Sequence, residues 1–357
     1  MMPWLTTNWG NPSSIHAPGR AARRAIEEAR SKVATLVGAY PEQVLFTSGA
    51  TEANNSAIHS VLIHDPTKRH IVTSAVEHSA ILAYCDFVNQ HHGVEITCLA
   101  VDADGMVSTD DLKGAIRPDT AIVSLMWANN ETGVIWPVAE FSKICGDAGV
   151  PFHTDAVQAI GKVPVHFERC GVAFLSLSGH KIGAPKGIGA LIVADPPTFE
   201  PLIHGGKQEH GMRGGTESVP LIVALGAAAE IVSKRDSGCW NPIKKLRDEF
   251  ESLLIQRIPR AEINGGKVQR LPNTSNVYLS GLDADAMITF LDQQGICVSS
   301  GSACMESAIT PSHVILAMTN SYARASESIR VSLGQESSNK VLQSLVNSLE
   351  TFASMNF

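Results

Sequence analysis

Short apolar runs alternate with helical stretches along most of the chain, and this alternation constrains the fold more than any other feature. The run His70–Ser74 and the run 121–126 are typical of buried strands, while Ala17–Val37 has the pattern of a helix. Strands separated by helices favour a mostly parallel sheet with both faces covered. The turn residues at 184–187 make Gly189–Val193 a candidate hairpin partner of the strand before it. The sequence therefore predicts the α/β fold class.

A second, smaller unit is predicted beyond residues 236–238. A helix over Val219–Ser233 leads out of the first unit, and strands and helices alternate again in the part that follows. The predicted strands of this second unit cover residues 275–279, 296–299 and 329–333. We predict a large domain over 13–235 and a small C-terminal domain over 236–357, which also takes in residues 1–12.

The composition of the 357 residues argues against several classes of protein. With 44% hydrophobic and 18% charged residues, the chain has the composition of a globular protein with a large core. A net charge of −7 and the lack of a dense Lys/Arg run argue against nucleic-acid binding. No apolar run reaches the ~18 residues that span a bilayer, and the N-terminus lacks a signal-peptide pattern. Seven cysteines without C-x-x-C spacing indicate reduced thiols, a cytoplasmic location and no metal site.

A lysine and an aspartate each follow a predicted buried strand, where open α/β sheets bind ligands. Lysine forms Schiff bases with carbonyl cofactors such as pyridoxal phosphate (PLP), and PLP enzymes place a carboxylate against the ring nitrogen. Lys181 and Asp155 are the candidates for these two positions. A lysine after a strand is more often a solvated surface charge. The apolar run 173–177 before Lys181 and the glycine-rich flank 183–187 after it favour the catalytic interpretation.

Two further motifs suit a phosphorylated, aromatic ligand. The turn 48–51 between a strand and a helix presents backbone amides and a helix dipole to a phosphate, although an ordinary capped turn has the same sequence. Ser178 and His180 beside the lysine could add hydrogen bonds to that phosphate. His78 follows a strand and is either a satisfied histidine or a ring that stacks on a cofactor.

Three residues are candidates for contact with a substrate. Asn130 lies in a turn-like segment and could offer its amide to a substrate carboxylate. Arg330 alternates with apolar neighbours on a predicted strand, so its planar fork binds either a carboxylate ligand or an internal acidic partner. Cys304 lies among small residues, which predicts an exposed, mobile segment rather than a buried thiol. A helix is predicted to follow at Pro311, with Thr310 as its N-cap.

In order and spacing, these motifs closely resemble those of the cysteine desulfurases, the NifS/IscS-like branch of the class V aminotransferase family. The resemblance runs over most of the chain, and its motifs lie at 10–16, 47–55, 76–78, 129–133, 154–158, 178–189, 211–217 and 299–304. It implies the fold of the type I PLP-dependent transferases, with a mostly parallel, seven-stranded mixed sheet in the large domain. It also implies PLP as the cofactor.

The resemblance assigns most of the cofactor contacts residue by residue. Lys181 is similar to the Schiff-base lysine of the family, and Asp155 to the partner of the ring nitrogen. Gln158 is similar to the residue that bonds the ring hydroxyl, and His78 to the one stacked on the ring. The implied phosphate contacts are Ala50, Thr51, Ser178 and His180.

The remaining matches concern the substrate, the sulfur and the partner subunit. Thr216 resembles a residue that reaches the phosphate of the neighbouring subunit, which implies a homodimer with shared sites. Asn130 and Arg330 resemble the groups that hold the carboxylate of L-cysteine, and Cys304 the thiol that accepts its sulfur. The implied activity converts L-cysteine to L-alanine and delivers sulfur to an acceptor protein for iron–sulfur or thio-cofactor assembly. A selenocysteine lyase, another β-elimination enzyme and a non-catalytic desulfurase-like subunit are the alternatives.

Overall fold

The computed structural model describes residues 1–236, 238–301 and 311–356. Its helices are α1 Met2–Thr6, α2 Ala17–Val37, α3 Ala50–His64, α4 Ser79–His92, α5 Thr109–Ala115, α6 Val138–Asp147, α7 Phe167–Cys170, α8 Val219–Ser233, α9 Asn241–Arg257, α10 Ala284–Asp292, α11 His313–Thr319, α12 Tyr322–Ser326 and α13 Asn339–Met355. Its strands are β1 Val44–Thr47, β2 His70–Ser74, β3 Glu95–Leu99, β4 Thr120–Ser124, β5 Phe152–Asp155, β6 Phe174–Ser178, β7 Gly189–Val193, β8 Ala261–Ile263, β9 Thr274–Leu279, β10 Ser299–Ser300 and β11 Ser328–Ser332. Within these ranges, no helix combines the length and the apolar character that a bilayer crossing requires.

A seven-stranded sheet with the order β1-β7-β6-β5-β4-β2-β3 forms the centre of the first unit. Strands β2 to β6 pair in parallel, whereas β7 runs antiparallel to both β6 and β1. The predicted α/β class, the mixed sheet and the hairpin partner of β6 are therefore confirmed. Along β1, Val44 and Phe46 join one hydrophobic core and Leu45 joins another, so the sheet is covered on both faces.

A second sheet with the order β10-β11-β9-β8 is antiparallel throughout. Helices α9, α10 and α13 pack on it and form a separate apolar core. Helices α11 and α12 instead supply Val314, Ile315 and Ala325 to the core of the first sheet. The proposed division of the chain after residue 235 stays a prediction.

Two local predictions are wrong in the second unit. The strand predicted over 296–299 is reduced to β10, because Ile296 lies in a turn after α10, where its amide donates to the carbonyl of Leu291. Its apolar side chain packs on the second core, so the apolar pattern there reflects packing rather than strand pairing. Helix α11 begins after Ser312 instead of Thr310, since the Ser312 hydroxyl accepts the amide of Ile315 as its N-cap.

Candidate active site

Most of the polar residues singled out in the sequence line one cavity of about 380 Å³ at the carboxyl edge of the parallel strands. This edge is where open α/β sheets bind ligands, because the strand ends and the loops that follow them meet there. Strands β1, β2, β5 and β6 each end beside the cavity, and β11 reaches it from the second sheet. The predicted site residues in its lining are Ala50, Thr51, His78, Asn130, Asp155, Gln158, Ser178, His180, Lys181 and Arg330.

One predicted site residue among the described ones, Thr216, is not in this lining. Thr216 is exposed and lines a smaller depression of about 100 Å³, which shares Ser48 and Gly187 with the main cavity. Cys304 lies outside the described residues. The lining therefore joins the candidates for cofactor and substrate carboxylate, and leaves Thr216 on a neighbouring surface.

Asp155 is the last residue of β5 and is only 8% exposed. Its carboxylate accepts hydrogen bonds from Asn54 Nδ2 at 2.8 Å and from the amide of Val157 at 3.0 Å. These two neutral donors fix its orientation without neutralising its charge, so it can still accept an N–H group from a ligand. Asn54 lies on the buried face of α3. No local sequence pattern indicated that it belongs to the site. Its Oδ1 atom is buried and has no hydrogen-bond partner among the described residues.

The first turn of α3 presents unpaired amides to the cavity. The helix has no side-chain N-cap, and the amides of Ala50 and Thr51 meet no acceptor in the described part of the chain. Nearby, Ser178 Oγ and His180 Nδ1 lie 2.8 Å apart. Burial, and then the charges of Lys181 and Lys186, lower the pKa of His180. Helix-terminal amides beside hydroxyl and imidazole groups are a typical phosphate-binding set.

A glycine permits the close approach of β7 to this turn. A Cβ atom on Gly189 would lie 2.6 Å from the carbonyl oxygen of Leu177 and 2.7 Å from the carbonyl carbon of Gly49. Any larger residue would push the 48–51 turn away from β7. Glu52 adds a second anchor, since it accepts the Ser48 amide and pairs with Arg213 at 3.0 Å.

His78 and Lys181 approach the cavity from different strands. His78 is half-buried, and its Nδ1 accepts the amide of Ala80 at 3.1 Å as the N-cap of α4. This bond fixes the ring and leaves the proton on Nε2. Lys181 follows β6 and is exposed, but it shares the cavity with Asp155. The aldehyde-binding amine and the ring-nitrogen carboxylate expected from the sequence therefore line the same space.

Arg330 connects the second sheet to the cavity. Its Nη1 donates to the carbonyl oxygen of Asn130 at 2.9 Å and to that of Gly301 at 3.5 Å. The neighbouring Glu131 is buried, and its Oε2 accepts the hydroxyl of Ser312. Burial raises the pKa of Glu131, against the opposing effects of Ser312, His313 and Arg330. Arg330 thus has backbone partners and an acidic neighbour, and it also faces the cavity.

The glutamate next to His78 was assigned no role from the sequence. Glu77 is fully buried, and its Oε1 accepts the Ser74 hydroxyl at 2.8 Å and the Met126 amide at 3.0 Å. Its Oε2 has no partner among the described residues. Burial raises the pKa of Glu77 to about 8, so the carboxyl group is protonated at neutral pH. It joins the ends of β2 and β4 as a neutral group.

The loop that carries Thr216 is held by a buried ion pair. Arg30 of α2 donates to Glu209 through two bonds of 2.7 and 2.8 Å, and both residues are at most 2% exposed. Glu209 also accepts the amide of Phe46, so it joins the loop to β1. Glu209 and His210 both adopt positive φ angles, of 46° and 56°. The ion pair stabilises a backbone conformation that these residues rarely adopt.

Comparison with known proteins identifies relatives over nearly the whole chain. The family model described as "Aminotransferase class-V" matches residues 1–345. A cysteine desulfurase from Cereibacter sphaeroides is 47% identical over 93% of this chain and 86% of its own length. The cysteine desulfurase IscS from Dictyoglomus turgidum is 44% identical over 98% of this chain and 89% of its own.

Solved structures agree with this grouping. A NifS-like protein superposes with a TM-score of 0.91 at 33% identity, covering 99% of this chain and 94% of its own. A second structure, described as SspA in complex with cysteine, has a TM-score of 0.81 at 36% identity over 93% of this chain and 92% of its own. The fold and the arrangement of elements are therefore those of this group.

Proposed function

The chain belongs to the class-V aminotransferase family and, within it, to the cysteine desulfurases, and on this premise we propose that it uses PLP to convert L-cysteine to L-alanine. The observation that carries this proposal is the shared cavity of Lys181 and Asp155, with the free amides of α3 at its edge. The donor set fits PLP, since it offers an amine for the aldehyde, a buried carboxylate for the ring nitrogen and amides for the phosphate. The cysteine-bound relative supports L-cysteine as the substrate.

Each residue has a defined task in the proposed reaction. When bound, PLP supplies an electron-withdrawing ring that stabilises negative charge at the Cα of an attached amino acid. Asp155 would hold a proton at the ring nitrogen of PLP, and His78 would lie against the ring. Arg330 binds the substrate carboxylate. The Lys181 amine takes the proton from Cα and later returns a proton to the product.

Sulfur transfer requires a nucleophile, and Cys304 is our candidate. Its thiolate attacks the substrate sulfur, the bond between Cβ and sulfur breaks, and the electron pair of that bond remains on carbon. Protonation of that carbon yields alanine, and Cys304 retains the sulfur as a persulfide. We propose that an acceptor protein of an iron–sulfur or thio-cofactor pathway then takes this sulfur. The six described cysteines are all free thiols, which supports a reducing, cytoplasmic setting.

The test is alanine production by the purified protein supplied with PLP and L-cysteine. We expect yellow absorbance of lysine-bound PLP, stoichiometric alanine and a persulfide on Cys304 detected by mass spectrometry. Lys181→Ala should lose the absorbance and the activity, and Cys304→Ala should bind PLP normally but form no persulfide. Lys244→Ala is the control, because Lys244 is exposed and pairs with Asp248 on α9. Alanine formation from selenocysteine but not from cysteine would refute the proposal.

We also propose a homodimer in which Thr216 completes the partner's phosphate site. Its exposed position outside the cavity, on a loop fixed by Glu209, supports this role. A mixture of Lys181→Ala and Thr216→Val chains tests it, because a mixed dimer contains one intact site if the two residues act in trans. Recovery of activity on mixing is expected. Two inactive parents that stay inactive in a verified mixed dimer would exclude shared sites.

A further inference from the structure

We propose that Lys162 is a positioning residue for the cofactor, because it orients the Gln158 carboxamide so that the NH₂ group faces the cavity. This inference rests on the proposed function, since Gln158 is the predicted partner of the PLP ring hydroxyl. Lys162 is not in the lining of the cavity and belongs to no motif singled out in the sequence.

The orientation follows from the hydrogen bonds of the Lys162 ammonium group. Its Nζ donates to the backbone carbonyl of Gln158 at 2.9 Å and to the side-chain Oε1 of Gln158 at 2.9 Å. An ammonium group has three donors and no acceptor, so only the oxygen of the carboxamide can face it. The Nε2 donors of Gln158 are then directed to the other side, and Gln158 lines the cavity. A donor at this position bonds an ionised ring hydroxyl, whereas an amide oxygen would repel it.

The backbone around Lys162 is held in one conformation. The amides of Lys162 and Val163 both donate to the carbonyl of Ala159, so the segment after Asp155 forms a tight double turn. Gly161 has a φ of 77°, and a Cβ on it would lie 2.9 Å from Val232 on α8. The indole of Trp240 donates to the Gly161 carbonyl. The turn cannot shift without losing these contacts, so the Lys162 ammonium stays beside Gln158.

The charge of Lys162 is not neutralised by an acidic side chain. Within the described ranges, no carboxylate lies within 4.0 Å of its Nζ. Burial, and then the charges of Lys181 and Arg330, together lower the pKa of Lys162 to about 8. Lys162 thus adds a third basic group, behind Lys181 and Arg330, to a site whose proposed ligand is an anion. Lys162 strengthens the Gln158 N–H donors by polarising the amide, and its charge opposes a proton on the nitrogen of Lys181.

The experiment compares PLP binding and a spectroscopic pH titration in five proteins. Lys162→Met, Gln158→Leu and the double variant are measured beside the wild type, with Lys244→Met as the matched lysine control. PLP affinity is read from fluorescence quenching, and the titration from the absorbance of PLP bound to Lys181. We expect Lys162→Met to weaken PLP binding about five-fold, the effect of one lost hydrogen bond, and to move the titration midpoint upward. The double variant should bind PLP no more weakly than Gln158→Leu alone.

The outcomes separate this inference from the proposed function. A wild type that does not bind PLP would refute the proposed function itself. Normal PLP binding with an unchanged affinity and midpoint in Lys162→Met, or losses that multiply in the double variant, would overturn the role of Lys162. If Lys162→Met does not fold, Lys162→Gln replaces it, because glutamine can donate one hydrogen bond but carries no charge. The upward shift of the midpoint should persist in that variant, and its absence would also overturn the inference.

Discussion

Removing the Glu209 carboxylate should destabilise the protein more than most single substitutions. Glu209 accepts two bonds from Arg30 and one from the amide of Phe46, and Arg30 is only 1% exposed. Burial opposes the charge of Arg30, but its bonds and attraction to Glu209 and Glu27 raise its pKa. In Glu209→Ala, the buried guanidinium keeps the Val44 carbonyl, Glu27 and the face of the Phe46 ring as partners among the described residues. A buried charge that loses its main partner costs about 3–5 kcal/mol.

The magnitude can be converted into a melting temperature. An unfolding entropy of about 2.1 cal/mol/K per residue gives roughly 0.75 kcal/mol/K for a chain of 357 residues. The loss then corresponds to a decrease of roughly 4–7 °C in Tm. The strained loop at Glu209 and His210 should also become more accessible to protease, because the ion pair no longer stabilises its backbone.

The assay is thermal unfolding by circular dichroism at one protein concentration, with Arg30→Met, Glu209→Leu and the double variant Arg30→Met/Glu209→Leu measured beside Glu209→Ala. The double variant should recover most of the loss, since an apolar pair of similar volume leaves no buried charge. Lys32→Met is the control. Lys32 is a residue of the same helix, and it pairs at the surface with Glu230 of α8. A change below about 1 °C in Glu209→Ala, or fully additive losses in the double variant, would refute this reasoning.

Three further predictions concern the site and the strands beneath it. Glu77→Gln should gain stability relative to the wild type as the pH rises from about 4.5 to about 8, because burial raises the pKa of Glu77 to about 8 in the folded protein, whereas the unfolded wild type already ionises this residue across that range; a constant difference in denaturant unfolding would contradict this. His153→Gln should lose less stability than the wild type on acidification from about pH 6.5 towards about pH 4. Burial lowers the pKa of His153 to about 3, so in this range the unfolded histidine takes up a proton and the folded one does not. The same dependence of the unfolding free energy on pH in both proteins would count against it. Arg330→Lys should raise KM for L-cysteine about ten-fold with a smaller change in kcat, because lysine cannot bond a carboxylate through a planar fork; an unchanged KM in steady-state alanine assays would exclude Arg330 as the carboxylate group.

The elements predicted best are those whose own residues determine them. Strand β2 and helices α2 and α8 have the predicted limits, since each is a continuous apolar or amphipathic run. The error at 296–299 arose because the apolar residues that follow α10 pack on the second core without pairing as a strand. A short buried strand has the same composition, so the sequence does not distinguish the two. The start of α11 was misplaced because Thr310 and Ser312 are equally good caps by residue type, and the hydrogen bond to Glu131 distinguishes Ser312.

The residues of the candidate site also fall into two groups, those that the sequence predicts and those that only tertiary packing reveals. Lys181 and His78 follow strands and Asp155 ends one, so their place at the sheet edge could be predicted from the order of elements alone. Asn54 could not be predicted, because its bond to Asp155 joins residues 101 positions apart and depends on how α3 lies across the sheet. Lys162 is four residues from Gln158, but its role depends on the direction of one side-chain amide. Local patterns identify the reactive groups, and tertiary packing determines the residues that orient them.

His153 lies in the middle of β5, two positions before the carboxylate at the strand end. Its ring nitrogens contact the hydroxyl of Ser124 on β4 at 2.8 Å and that of Ser176 on β6 at 3.0 Å. Leucine or valine there would fill the space as well, but dispersion contacts tolerate sliding, whereas hydrogen bonds depend on direction. The imidazole therefore links β4, β5 and β6 through hydrogen bonds and fixes the spacing between them. The distances between the side chains at the ends of these strands are therefore determined within the sheet itself, before any ligand binds.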